Sequence, residues 1–426
     1  MANVNDTNNT RGKLESQWRL LREADIDNRD RNAIEDFVRL HRQNVENRAL
    51  LTLYTDLSTL RNASERADTP LVDMKMGDVR RLLGKLVAPK DQGGYDLDPQ
   101  GTGIFGYKRA LRIFFQWLDQ QPDFGDFGFY EHIELPSHNV ERVSEDQVPT
   151  EEEVEELKAG AVNARDKALI EFLADTAARI SLASQLRVGD VYDLDTDRPH
   201  YKPNSNGINH KDAPLRRYPI LYSQVDLRSY LAQHHIDPRD EAPLWHVLHG
   251  YDRMEPEKGA LSSDRIRSML RECKSRADIQ KPVNPHNFRH TAITRLSRAG
   301  YTPKEIQHIA GWADDRMLEA YDHTTDIERN DQIRIRAGLI DETDTGTAPP
   351  RPKTCENCRE QLNPSSRFCP RCGTATTEKA RTAVEDQEDR FFRSGLEAEG
   401  ELTEAVREFR RLISEYPTLR AAVLDD

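Results

Sequence analysis

His286, Arg289, Trp312 and Tyr321 fall within one short stretch of a 426-residue chain, and their types and spacing suit chemistry on an anion. The stretch reads Asn-Pro-His-Asn-Phe-Arg-His from position 284, Thr-Pro-Lys-Glu from 302, Gly-Trp at 311–312, and then Tyr321. An imidazole and a guanidinium three residues apart share one face of a helix. The first turn of that helix offers backbone N–H groups and the positive end of the dipole, so this is an expected phosphate site, followed by a phenol able to act as a nucleophile. Between positions 286 and 304 the charged residues are Arg289, Arg295, Arg298 and Lys304, with no acid among them, whereas the whole chain has 74 Asp and Glu against 61 Lys and Arg. The local field is the reverse of the global one.

Two helices must position these groups. Asn284 is a good N-cap and Pro285 suits the first helical position, so a helix is expected to run to about Ala299, with Gly300 after its end. A second helix is capped by Thr302, with Pro303 in its first position and Glu305 in capping-box register, and stops at Gly311. Trp312 follows the stop directly, and Tyr321 lies nine residues on, in a segment with Met317, Leu318 and Ala320.

His-x-x-Arg, then Gly-Trp, then Tyr resembles the C-terminal half of a tyrosine recombinase active site, as found in the phage-integrase and Xer-type family. The resemblance implies two residues upstream. Thr176-Ala-Ala-Arg-Ile-Ser-Leu followed by Leu186-Arg-Val-Gly-Asp-Val is similar to the family's segment bearing its first catalytic arginine, which matches Arg179. The family usually has an acid three places later, and here that position is Leu182. The family's lysine lies in a β-hairpin, and His210-Lys-Asp-Ala-Pro-Leu-Arg-Arg-Tyr-Pro-Ile fits that frame with Lys211; Lys202 is the alternative, because residues 203–209 form an insertion.

The family's chemistry, carried onto these positions, has Tyr321 attack a DNA phosphate to give a 3′-phosphotyrosyl link and a free 5′-hydroxyl, without metal or ATP. Arg179 and Arg289 would hold the non-bridging oxygens, His286 would take the phenol's proton, and Lys211 would protonate the leaving oxygen. Trp312 has one N–H to give. The resemblance implies double-stranded DNA as partner and a tetramer on paired sites. Each residue also has a plain reading: a core tyrosine, a capping histidine, a solvated lysine. A catalytically inactive recombinase-like DNA-binding protein, or an adaptor working through its metal module, are the alternative functions.

That module is Cys355-x-x-Cys358 and Cys369-x-x-Cys372, ten residues apart, which is zinc-ribbon spacing. Four thiolates close the coordination sphere, so Zn²⁺ there is expected to be structural. Cys273, the fifth cysteine, reads as a small buried residue.

The chain is 36% hydrophobic with a net charge of −13, and arginine outnumbers lysine roughly threefold. This balance suits a cytoplasm with molar salt, where a Debye length of about 3 Å screens surface repulsion, or, as the plainer alternative, an ordinary acidic protein from a GC-rich genome. It contains no run of 18 apolar residues and starts without an apolar leader core, so a cytoplasmic protein without a membrane span is expected.

The expected fold is mainly α with a small antiparallel β-sheet. Residues 1–12 read as disordered and 13–121 as a helical core-binding domain, with Ile34, Phe37, Val38 and Val45 among its inward positions. Residues 122–149, broken by Gly and Pro, read as a linker. An α+β catalytic domain follows over 150–340, with an acidic, solvated face at 151–156, a helix from Ala164 to Ala178 delivering Arg179, and a small sheet between Val191 and Leu221. The corner at Ala242-Pro-Leu-Trp245 should pack inward, and helices are expected over 225–233, 262–277 and, after position 323, to about Ala337. A tether over 341–354, the zinc ribbon at 355–373 and a helical tail over 374–426 complete the chain; in the tail Leu402, Val406, Phe409, Ile413 and Tyr416 form a two-heptad seam.

Overall fold

The computed structural model describes residues 2–46, 48–135, 147–208, 213–312, 330–331, 333–335, 337–340, 353–362 and 366–396. The chain divides into two units, Asn9–Val140 and a second made of Met1–Asn8 with Glu141–Asp426.

The first unit is built from α1 (Thr10–Glu23), α2 (Asn28–Glu35), α3 (Leu50–Arg66), α4 (Met76–Val87) and α5 (Thr102–Leu118). Its core joins Leu53, Leu57 and Leu60 of α3 to Leu111, Phe114 and Phe115 of α5. Phe37 meets Phe114 edge to face at 5.4 Å. Ile34, Phe37 and Val38 point inward as expected, but Val45 is exposed. The cause is a π-helix over Asp36–Val45: each π turn takes one more residue than an α turn and rotates later positions off the apolar face. Phe127 and Ile133 also join this core, so the breaker-rich stretch after α5 folds back onto its own helices.

The second unit contains α6 (Glu151–Ala159), α7 (Ala164–Thr176), α8 (Ile180–Ala183), α9 (Gln224–Gln233), α10 (Ser263–Arg276), α11 (Pro285–Arg298) and α12 (Pro303–Ala310). Helix α7 is its central rod. It is buried from Ala168 to Thr176 and packs against α6, α9 and α11. A three-stranded antiparallel sheet, β2 (Val191–Tyr192), β3 (His200–Tyr201) and β4 (Tyr218–Pro219), pairs Val191 with Tyr201 and Tyr201 with Tyr218. Trp245 is fully buried against Tyr230, and Cys273 is buried too.

Two expectations fail here. The stretch expected to be disordered, residues 1–12, is ordered over 2–12: β1 (Ala2–Asn3) pairs antiparallel with β5 (Lys258–Ala260), Val4 is fully buried, and Thr10 already opens α1. The segment lacks hydrophobic periodicity, but its backbone and its Asn and Thr side chains find partners on an open strand edge, which composition does not reveal. The acidic run is not wholly solvated either. Glu155 is buried with Glu171 and Asp226 around Lys158, whose Nζ donates to all three at 3.1–3.2 Å.

The ribbon pairs β6 (Lys353–Thr354) with β7 (Gln361–Leu362) and leads to α13 (Glu378–Leu396). It lies on α6 and α9: Ser229 donates to the Pro370 carbonyl at 2.8 Å, Arg228 pairs with Glu360, and Arg367 N–H donates to Glu155 at 3.4 Å. The tail seam from Leu402 to Tyr416 lies outside the described residues.

Candidate active site

Arg179 sits just beyond α7, which ends at Thr176 and not at Ala178 as expected. The Thr176 hydroxyl donates back to the Phe172 carbonyl and accepts from Ala178 N–H, offering the backbone an alternative to another helical turn. Ala177 turns left-handed at φ 52°, and Arg179 becomes the residue before α8, its carbonyl accepting from the N–H groups of Leu182 and Ala183. The half-buried Arg179 guanidinium makes no hydrogen bond or ion pair among the described residues.

Helix α11 starts as the sequence predicts. The Asn284 side chain accepts from the N–H groups of His286 and Asn287 at 2.9 and 3.1 Å. That cap uses two donors that the expected anion cradle would have offered, so binding there falls to side chains. Arg289 is 4% exposed, and its fork donates to the Ala177 carbonyl at the end of α7 and, at 2.8 Å, to the Ala310 carbonyl at the end of α12. Three helices are thereby joined at one planar cation. Its Cζ lies 5.1 Å from the ring centroid of Trp312, a cation–π contact.

Helix α12 has the full Thr302–Glu305 capping box. Gly311 stops it in the left-handed region at φ 64°, and a Cβ there would come within 3.2 Å of the Tyr218 hydroxyl. Glycine is therefore needed both for the turn and for the approach of β4. Trp312 follows, 3% exposed.

His286 is pushed below its ordinary range by burial and by the Arg289 charge, so its imidazole is neutral near pH 7 and can accept a proton. Its Nε2 lies 3.3 Å from Nε2 of His290, the rings nearly perpendicular at 4.8 Å between centroids. Tyr218 reports how these cations converge: burial raises its phenol, and the charges of Arg216, Arg179 and Arg289 oppose that rise.

Leu182, where the family usually has an acid, is buried in the core. A different carboxylate ties the site together. One oxygen of buried Asp175 accepts from the N–H groups of Leu221, Tyr222 and Ser223 at 2.9–3.0 Å and from the Ser223 hydroxyl at 2.8 Å. This clamp fixes the chain leaving β4 to the end of α7, four residues before Arg179. Nothing local in the sequence signals it, because its partners lie 46–48 positions away. His290 could have been found from its i+4 spacing to His286.

Arg179, His286, Arg289 and Trp312 are thus gathered about the ends of α7, α11 and α12. Lys202, exposed, lies one residue past β3. Lys211 and Tyr321 lie outside the described residues.

In the ribbon, the four Sγ atoms of Cys355, Cys358, Cys369 and Cys372 lie within 4.8 Å of one another. Cys355 and Cys372 are 3.6 Å apart and Cys358 and Cys369 3.5 Å. A tetrahedral Zn²⁺ with bonds of about 2.3 Å spaces its sulfurs about 3.8 Å apart, whereas a disulfide needs about 2.05 Å. Each Cys-x-x-Cys turn closes on its first cysteine: the Cys355 carbonyl accepts from Arg359 N–H, and the Cys369 carbonyl from Gly373 N–H.

Residues 147–328 match the phage integrase family. The chain is 29% identical over 168 residues to the tyrosine recombinase XerD of Corynebacterium glutamicum, covering 39% of this chain and 51% of that protein. It is 28% identical over 245 residues to a tyrosine recombinase of Thermosipho africanus, covering 55% of this chain and 76% of the relative. A third relative, XerD of Bifidobacterium longum, is 25% identical over 38% of this chain and 50% of its own. The chain thus spans about half the length of two of these three curated relatives. Among solved structures, the Tn1549 transposon integrase in complex with a circular intermediate DNA shares the fold at a TM-score of 0.50, with 18% identity over 71% of this chain and 98% of that one. With the basic cluster at the ends of α7, α11 and α12 inside the matched segment, residues 147–328 are a tyrosine recombinase domain of the phage integrase family.

Proposed function

We propose that this protein is a site-specific DNA recombinase that cuts and rejoins strands through a 3′-phosphotyrosyl intermediate. The observation that carries this reading is the pair of guanidiniums. Arg289 is locked in place by two carbonyls and an indole, and Arg179 beside it is half-buried without a counter-ion among the described residues. A cation partly removed from water without a partner is costly, and a phosphate would supply that partner in bidentate form. In the reaction the Tyr321 oxygen bonds to phosphorus as the 5′-oxygen leaves. Neutral His286 receives the phenol's proton and Lys211 gives one to the departing oxygen. Arg179, Arg289 and the Trp312 N–H stabilise the charge that grows on the non-bridging oxygens. Retaining the phosphate as a diester on tyrosine keeps the bond energy for rejoining, so neither ATP nor a catalytic metal is required.

Double-stranded DNA is the proposed partner, with a tetramer joining two duplexes. The acidic, arginine-rich composition supports action in a salt-rich cytoplasm, and no described helix is long and apolar enough to cross a membrane. The four ribbon cysteines would hold one structural Zn²⁺, which closes its coordination with thiolates and so leaves no position for substrate.

The test uses nicked duplexes with a randomised core, incubated with the protein in high salt. Covalently captured duplexes are recovered and sequenced. Capture that is lost in Tyr321→Phe is expected; capture of equal yield in that variant removes Tyr321 as nucleophile, and no capture by the native chain removes the enzyme reading.

A further inference from the structure

The described part of the insertion, residues 203–208, precedes Lys211 in the chain and makes no strand of its own, yet it is held at Asn204 and Ile208. Asn204 is 1% exposed, and its side-chain amide donates to the Gln185 carbonyl at 3.0 Å and to Asn5 Oδ1 at 2.9 Å. Ile208, three residues before Lys211, shares its N–H between Gln185 Oε1 at 2.9 Å and the Asn5 carbonyl at 3.2 Å. Gln185 follows the helical turn that begins after Arg179, and its amide donates back to the Ser181 carbonyl. The insertion is therefore bound on one side to the arginine-bearing turn and on the other to a segment from the far end of the sequence.

That segment, residues 2–8, works in two halves. Ala2 and Asn3 pair with β5, Val4 N–H donates to the Glu257 carbonyl at 2.8 Å, and the Asn8 side chain accepts from Ser263 N–H at the start of α10. These contacts moor the segment. Asn5 then holds the insertion, and the buried Thr7 hydroxyl meets the Ser184 hydroxyl at 2.8 Å. Asn5 and Thr7 reach the insertion and the turn after Arg179.

We propose that residues 2–8 are a positioning strap for the insertion that precedes Lys211 in the chain, with Asn5 its key residue. The proposal rests on the reading of Lys211 as the acid that protonates the leaving 5′-oxygen. A general acid has to stand within hydrogen-bond reach of its oxygen, and small displacements of a reacting group cost about 10²-fold in rate. An insertion adds freedom where a lysine has to be placed, each unfixed residue adding backbone entropy to lose. The strap removes that freedom at Asn204 and Ile208 in advance of DNA binding. It also gives the N-terminal residues a role in strand cleavage that does not require them to touch DNA.

The test compares two captured duplexes in single-turnover cleavage, one with the ordinary 5′-oxygen leaving group and one with sulfur in its place. A thiol is far more acidic than an alcohol, so the sulfur leaves as thiolate without needing a proton. Asn5→Ala is expected to slow the oxygen duplex about 10–100-fold while leaving the sulfur duplex within about twofold and DNA binding unchanged. Equal slowing of both duplexes, or slowing of neither, overturns the strap. If Asn5→Ala melts as an unfolded chain, Thr7→Val takes its place with the same selective pattern expected. Lys211→Ala runs in parallel: a selective oxygen defect there with none in Asn5→Ala overturns the strap alone, whereas equal slowing of both duplexes in Lys211→Ala removes the acid assignment and the strap with it.

Discussion

At the scale of single residues, the site is organised by groups whose hydrogen bonds are already spent. Arg289 gives part of its fork to the carbonyls of Ala177 and Ala310, so it arrives at substrate rigid, whereas Arg179 arrives without such partners among the described residues. In the proposed reaction both would meet non-bridging oxygens, Arg289 from a position the protein has already fixed. His286 lends itself to a pH test. Burial and the nearby Arg289 cation lower its pKa, and a base acts in its deprotonated form, so the cleavage rate should rise with pH through a midpoint below the usual 6.5 of histidine and be flat at neutrality. A single-turnover pH profile checks it, and a rising limb centred above 6.5 would remove His286 as the base. Histidine His246 lies apart from the site, 1% exposed and held at about 4 by burial. Its folded pKa is below its unfolded one, so the stability it favours is complete above about 6.5 and is lost as pH falls toward 4, by about 3 kcal/mol. Urea unfolding at pH 7 and pH 4.5, repeated in His246→Phe, should show a smaller acid loss in the variant.

At the scale of elements, α7 is the member on which the rest depends. It is apolar along most of its length but carries Glu171 inward to meet Lys158 of α6, together with Glu155 and Asp226. Arg295 of α11 extends the network, 3.8 Å from Glu171 and 3.1 Å from Glu151. Buried charges of this kind contribute little net stability when complete, yet removing one partner leaves the others stranded. Lys158→Met should therefore destabilise the protein by about 3–5 kcal/mol, read as a lower urea midpoint, although it adds apolar surface. A loss below about 1 kcal/mol would mean that the carboxylates are neutral in the fold. Each helix near the site also starts and stops on local chemistry, as the Asn284 cap, the Thr302–Glu305 box and left-handed Gly311 show, so α11 and α12 keep their register without help from substrate.

At the scale of the whole molecule, the ribbon is docked on α6 and α9, with Glu360 held by both Arg228 and Arg371 and with Arg367 N–H on Glu155 of the buried network. The Zn²⁺ proposed for the four cysteines should therefore also stabilise the recombinase domain. A metal present at about 1,000 times its dissociation constant adds about 4 kcal/mol to the state that binds it. Excess chelator, or Cys355→Ser, is expected to lower the melting temperature of the domain containing α7, followed through its tryptophan signal; an unchanged melt would mark the ribbon as thermally independent.

Much of this was legible in residue order because it is short-range. N-caps, the proline at the first helical position, glycine stops and the Cys-x-x-Cys turns are decided within three or four residues, and they located α11, α12 and the cluster of four cysteines. The small sheet and buried Trp245 also followed from local pattern. Contacts that join distant segments were not legible: the Asp175 clamp, the burial of Glu155 among charges, the docking of the ribbon and the anchoring of residues 2–8. Each depends on a polar group finding a partner tens to hundreds of positions away, and an aspartate bound for a buried clamp looks the same in sequence as one bound for water. The sequence by itself determined which groups could meet a phosphate, since guanidinium, imidazole and indole chemistry is fixed by residue type and their order by the chain. Only the tertiary structure decided which guanidinium is bound by the protein and which stands without a partner among the described residues, because that depends on where the carbonyls at the ends of α7 and α12 come to rest.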